Sequence, residues 1–94
     1  MKLAPALVEK TLDQFNAAAL PEGHASRPTL AEVFGDHTFF FNSDGLHIVE
    51  ELALGTKKKL GQIVKVASWA NDNHTRLAPH RPEPTNVLVE LEAA

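Results

Sequence analysis

The sequence predicts an α+β fold in which an N-terminal amphipathic helix packs on a mostly antiparallel four-stranded sheet, connected in sequence order as a meander. Three observations predict it. Apolar residues near the N-terminus recur at helical spacing, a turn divides two alternating apolar runs, and two further β-rich runs follow. Because the chain has 94 residues and a 44% hydrophobic content, we expect one small domain over residues 1–94.

The N-terminal segment predicts a helix over residues 5–20. Its apolar residues lie on one side of a helical wheel and its charged residues on the other. Pro5 suits a first helical turn, and Pro21 with Gly23 ends the pattern. We expect this face to pack on the sheet, with binding to a partner as the alternative. The apolar face consists of Leu3, Leu7, Val8, Leu12, Phe15 and Ala19.

A short second helix is predicted at residues 29–32, after a polar loop. Thr29 and Glu32 have the spacing of a capping box, in which each side chain satisfies a free N–H group at a helix start. Gly35 can end the turn. We expect a single helical turn here. An extended strand that runs into the next element is the alternative.

Residues 37–54 predict a β-hairpin. Its turn lies at residues 42–45, where an Asp-Gly pair tolerates the positive φ angles of tight turns and the flanking residues prefer strands. Two registers are open. The turn closes either across residues 42 and 45 or around a two-residue loop, which sets Phe41 opposite Leu46 or Ile48, respectively.

Both registers give the hairpin the same two faces, because side chains alternate along each strand. We predict that the first face is the core. The opposite face is mixed, and we expect it to be half solvated or covered by a partner. The first face carries His37, Phe39, Phe41, Leu46, Ile48, Glu50, Leu52 and Leu54, and the opposite face carries Thr38, Phe40, His47, Val49, Glu51 and Ala53.

Two more strands are predicted over residues 62–69 and 86–92, where β-branched residues concentrate. Between them, residues 70–85 are expected to form a long loop, because turn formers and three prolines dominate the segment. An ordered extended arm is the alternative for this loop. In the third strand the alternation puts Val64 and Val66 on one face and Ile63, Ala67 and Trp69 on the other.

Charge and composition exclude several function classes. The net charge of −3 argues against a nucleic-acid binder, which needs a concentrated positive surface. The absence of cysteine excludes disulfides, thiolate zinc sites and cysteine nucleophiles. No sequence window approaches the roughly 20 apolar residues of a membrane span. We therefore expect a soluble, cytoplasmic protein that binds neither nucleic acid nor membrane.

Five histidines raise the question of a metal site. No two of them are three to five residues apart, and only His74, His80 and Asp72 are placed to meet within the long loop. We predict no metal and no cofactor. Ser26, Ser43 and Ser68 lie in no nucleophile-elbow context, so the sequence carries no catalytic signature and leaves enzymatic activity open.

Two sets of residues are candidates for ligand binding. His37 and Glu50 fall on the predicted core face, and one register places them directly opposite each other. A carboxylate beside an imidazole can do acid–base work or anchor a ligand, whereas a plain hydrogen bond at the edge of the core is the simpler interpretation. The second set, His74, Arg76, His80 and Arg81, makes the long loop basic and suits an acidic partner or anionic ligand, or else consists of solvated charges.

From these features we favour a small non-enzymatic protein-interaction module that forms a homodimer or binds an acidic protein. A 94-residue chain covers both sheet faces with difficulty, and Phe40, Val49 and Trp69 are then candidates for an exposed apolar interface. The alternative is a small-ligand-binding or catalytic domain. Its pocket would lie between helix and sheet and would use His37, Glu50 and the basic loop.

Overall fold

The chain forms two helices and a five-stranded antiparallel sheet in a computed structural model that describes residues 3–21, 23–52 and 59–92. The α+β class and the sequential strand order are confirmed, but the sheet has five strands instead of the predicted four. The elements are α1 (Pro5–Gln14), β1 (Ala18–Ala19), α2 (Arg27–Phe34), β2 (Phe40–Asn42), β3 (Gly45–Leu52), β4 (Lys59–Trp69) and β5 (Leu77–Glu92).

Helix α1 is shorter than the predicted helix over residues 5–20. Pro5 occupies its first turn as expected, but the helix ends at Gln14 because Phe15 is extended, with φ −130° and ψ 122°. Ala18 and Ala19 then form β1 opposite Phe41 and Phe40 of β2. Alanine favours helix, so the fifth strand results from tertiary pairing that outweighs local propensity.

Helix α2 covers eight residues, more than the single turn predicted. The helical interpretation is confirmed over the extended one, but the capping box is wrong because the helix begins before Thr29, at Arg27. Its end at Gly35 is as predicted. The Gly35 N–H donates to Ala31 O at 2.9 Å, and the backbone there has a φ of +95°.

The hairpin adopts the first of the two predicted registers, with Asn42 opposite Gly45 and Phe41 opposite Leu46. The Asp44 N–H donates to Asn42 Oδ1 at 2.8 Å, which closes the turn locally. Gly45 has a φ of +138°, and a Cβ at this position would collide with Ala67 O. The turn therefore requires glycine for its conformation and for the approach of β4.

Both faces of the sheet are buried, so the prediction of a single core face is wrong. Each face carries one cluster of buried apolar residues, which we name after the helix that packs on it. Leu7, Val8 and Leu12 cover the α1 cluster, and Leu30 and Phe34 cover the α2 cluster less completely. The buried members of the α1 cluster are Leu3, Phe40, Val49, Ile63, Val89 and Leu91, and those of the α2 cluster are Phe39, Leu46, Ile48, Val64, Val66 and Ala67.

The predicted grouping of hairpin side chains is confirmed within the α2 cluster, although Phe41 is only half-buried. The assignments of Ala53 and Leu54 lie outside the described residues, as does the side chain of Leu52. In β4, the predictions for Ala67 and Trp69 are wrong, because both lie on the α2 face and not on the face of Ile63. Ala67 pairs with Leu46 whereas Lys65 pairs with His47, so Val66 is an extra residue that shifts the alternation and brings Ala67 into the α2 cluster.

The predicted long loop over residues 70–85 is wrong beyond residue 76, because β5 begins at Leu77. The strand contains Pro79, Pro82 and Pro84, and it lies at the edge of the sheet. Proline has no N–H to donate to a neighbouring strand. An edge strand has no neighbour on its outer side, so proline is tolerated there. The alternative of an ordered extended segment was the better interpretation of these prolines.

Candidate functional site

Two irregularities in strand pairing meet around Val66. On the β3 side, Val66 is the extra residue described above. On the β5 side, Lys65 pairs with Glu83 and Ala67 pairs with Pro79, which leaves residues 80–82 opposite a single residue of β4. Bulges bend a strand and redirect its side chains, and they often occur beside binding sites.

A cleft of about 400 Å³ lies at this point, between the C-terminal end of α2 and the bulged strands. Its size falls within the roughly 300–1,000 Å³ of small-molecule sites. Most of its lining is apolar, and the polar groups come from three separate segments of the chain. We call it the α2 cleft; it is lined by Val33, Phe34, His37, Ile48, Glu50, Val66, Pro79, His80 and Pro82.

His37 lies in the short connection between α2 and β2. Arg27 Nη2 donates to His37 O at 3.1 Å, and the imidazole ring contacts Phe39 edge-on with centroids 6.2 Å apart. Burial lowers the pKa of His37, and the carboxylates of Glu50 and Asp36 oppose this shift. The ring is therefore mainly neutral near pH 7. The sequence-based association of His37 with Glu50 agrees with this arrangement, because both line the α2 cleft.

His80 is placed in the cleft wall by the β5 bulge. Its Nδ1 lies 2.8 Å from Arg81 O and 3.8 Å from Glu83 Oε1. Since a carbonyl oxygen can only accept, the hydrogen bond to Arg81 requires a proton on Nδ1. In the neutral ring Nε2 is then an acceptor. This atom is buried and has no hydrogen-bond partner in the described part of the chain.

The six predicted ligand-binding residues are thus divided. His37, Glu50 and His80 line the α2 cleft, and His74 lies elsewhere, stacked on Trp69 with ring centroids 4.9 Å apart and an interplanar angle of 10°. Arg76 and Arg81 are exposed and do not line this cleft. The basic loop therefore does not act as one cluster.

A second cleft of about 590 Å³ lies at the N-terminal end of α2. Trp69 and His74 form one side of it, and Leu30 of α2 contributes to the other. The Trp69 indole is fixed because its Nε1 donates to Asn42 O at 2.6 Å. Helix α2 therefore separates two clefts on the same sheet face, and it has no fully buried residue of its own.

The predicted interface residues have different surroundings. Phe40 and Val49 are each 0% exposed, because α1 of the same chain covers them, and only Trp69 keeps partial exposure. Helix α1 therefore covers the two residues that were expected to receive a partner, whereas Trp69 lies on the opposite face of the sheet, in the second cleft.

Sequence reasoning missed the apolar walls of the α2 cleft. Pro79 and Pro82 were assigned to a loop, and Val33 was given no role. The three prolines did favour an extended backbone, which indicates the strand that forms this wall. The bulges that turn the strand toward α2 have no signature in the local sequence.

Among the residues described, no group of three or more His, Asp or Glu side chains is arranged to hold a metal ion. Neither described helix has the length and apolarity needed to cross a membrane. No protein-family model, curated protein or solved structure matches the chain.

Proposed function

We propose that the protein is a small-ligand-binding domain whose site is the α2 cleft. The observation that carries the proposal is the convergence of His37, Glu50 and His80, from three segments of the chain, on a cleft with an apolar floor. Ligand sites typically combine an apolar lining with a few polar groups that fix orientation.

The loose fit of α2 supports this site. No residue of α2 is fully buried, and Val33 at the rim of the cleft is 58% exposed. Elements that cover ligands are drawn from the less stable parts of a fold. Helix α1, by contrast, has a fully buried residue of its own, Thr11, at 0% exposed.

Self-association through the sheet, which the sequence favoured, has less support. Phe40 and Val49 have no exposed surface to offer. Of the two sheet edges, β1 is only two residues long, and β5 carries three prolines. Short edges and prolines both oppose strand-to-strand pairing between molecules.

The proposal is tested with a library of small molecules screened by ligand-observed NMR against the parent chain and Val33→Arg. Arginine at this exposed rim position should obstruct the cleft without loss of core packing. The matched control is Leu88→Arg, because Leu88 is also an exposed apolar residue, at 50%, and does not line the cleft. We expect the molecules that bind the parent and the control to lose binding to Val33→Arg. Equal binding to all three proteins, or no binding at all, would contradict the proposal.

A further inference from the structure

The hydrogen-bonding groups of the α2 cleft are mostly acceptors. Glu50 contributes a carboxylate, and the Nδ1 proton of His80 is engaged by Arg81 O, so in the neutral ring Nε2 offers a lone pair. This nitrogen is buried without a partner in the described residues. A buried unsatisfied group of this kind favours any state in which it gains a donor.

Charge around the cleft is unbalanced in the same direction. Glu50 lines the cleft, and the Glu83 carboxylate lies 3.8 Å from the His80 ring. No described lysine or arginine lines it. Arg27, which contacts the His37 carbonyl, is paired with Asp36 at 3.4 Å. An anionic ligand would meet a carboxylate here with no cation among the described lining residues to offset it.

The remaining lining accommodates an apolar body. Phe34, Ile48 and Val66 form an apolar set beneath the polar groups, and Pro79 and Pro82 add two rigid apolar walls. A space of about 400 Å³ suits a molecule with one ring or a short branched chain.

We infer that the α2 cleft selects small apolar molecules that carry a protonated amino group. The amino group binds the Glu50 carboxylate. It also donates to His80 Nε2 when the ligand displaces the cleft residues that bury this nitrogen. This inference rests on the proposed function, because it names the ligand class of the same site.

The test uses three probes with the same ring and different polar groups: benzylamine, benzyl alcohol and benzoate. Each is titrated into the ¹⁵N-labelled chain and followed by NMR. We expect benzylamine to bind most tightly and to perturb the amides of Val33, His37 and Glu50 and the ring nitrogens of His80. Benzoate should bind most weakly.

Two variants with the same loss of charge test the role of the carboxylate. Glu50→Gln should weaken benzylamine binding by roughly three- to tenfold, because a charge-assisted hydrogen bond at an exposed site is lost. The matched control is Glu51→Gln, the exposed neighbour whose side chain points to the other sheet face, and it should leave benzylamine binding unchanged. The effect of Glu50→Gln should shrink at high salt.

The outcomes separate the ligand class from the site itself. If benzyl alcohol or benzoate binds in the cleft as tightly as benzylamine, or if Glu50→Gln has no effect, the amine inference is overturned and the cleft remains a binding site. If benzylamine does not perturb the cleft but the library screen finds another ligand there, the amine inference alone is overturned. If neither the probes nor the library screen gives a ligand in the cleft, both the inference and the proposed function fail.

Discussion

The side-chain amide of Gln14 binds both backbone groups of Glu90. Gln14 Nε2 donates to Glu90 O at 2.9 Å, and the Glu90 N–H donates to Gln14 Oε1 at 2.7 Å. The last residue of α1 therefore occupies the place that a neighbouring strand would take beside β5. It fixes the helix on the sheet and blocks the edge against pairing with another chain.

Replacement of this side chain should loosen the end of β5. We expect Gln14→Ala to lower the free energy of unfolding by about 1 kcal/mol, because two exposed hydrogen bonds are lost. Amide exchange of Glu90 should accelerate. Asp13→Ala is the control, since it removes an exposed side chain from the same helix. Hydrogen-exchange NMR that shows equal protection of Glu90 in both variants would contradict the role of Gln14.

The burial of both sheet faces predicts a contrast between neighbouring aromatics. Phe40 is fully buried beneath α1, whereas Phe41 is half-buried. Phe40→Ala should lower the free energy of unfolding by about 3–5 kcal/mol. Phe41→Ala should cost about half as much, because less apolar area is removed from water. Urea denaturation measures both, and a larger loss for Phe41→Ala would mean that α1 does not cover the sheet as described.

His47 makes stability depend on pH. Its ring lies edge-on to that of Phe15, the residue after α1, with ring centroids 5.2 Å apart, and the residue is 2% exposed. Burial lowers the pKa of His47 below its ordinary 6.5, as does Lys65, whereas Asp44 and a hydrogen bond with the Gly45 backbone oppose the shift. Because the unfolded chain binds the proton more readily, stability is fully present above about pH 6.5 and falls as the pH is lowered through that value.

Thermal melts between about pH 7.5 and pH 5 test this dependence. His47→Gln should lose less stability on acidification than the parent chain, with the lowered pKa of His37 accounting for part of the remaining loss. An unchanged slope in His47→Gln would show that another group controls acid stability.

Gly35 connects backbone conformation to the α2 cleft. Its φ of +95° is costly for any residue with a Cβ, and that Cβ would lie 3.3 Å from His37 Nε2. Gly35→Ala should therefore cost about 1–2 kcal/mol of stability and displace the His37 ring. Gly23→Ala is the matched control because a Cβ there meets nothing within 4 Å. Calorimetry and the ring resonances of His37 distinguish the two, and identical behaviour would contradict the described end of α2.

The hairpin was predictable because its turn residues and its alternation act locally. The early end of α1 was not predictable from the sequence. Ala18 and Ala19 prefer helix on their own, and only their pairing with β2 makes them a strand. One misread signal lay in the sequence itself. Phe39 and Phe40 are consecutive bulky aromatics, and such a run is typical of a strand buried on both faces, whereas a one-sided strand alternates with polar residues.

Half of the candidate site followed from the same local rules. His37 and Glu50 were grouped because alternation put them on one face of the hairpin, and the observed register preserves this grouping. His80 could be named but not placed, because its position depends on bulges formed by pairing between distant segments. The burial of Phe40 likewise depends on where α1 docks, which the sequence does not specify.

The central claim is that ligands bind between α2 and the bulged strands, and chemical-shift mapping of the library hits tests it most directly. Each hit is titrated into the ¹⁵N-labelled chain, and the perturbed amides are located on the structure. We predict that the largest changes cluster at Val33, His37, Glu50 and His80. Changes confined to Trp69, His74 and their neighbours in the second cleft, or spread evenly over the surface, would contradict the claim.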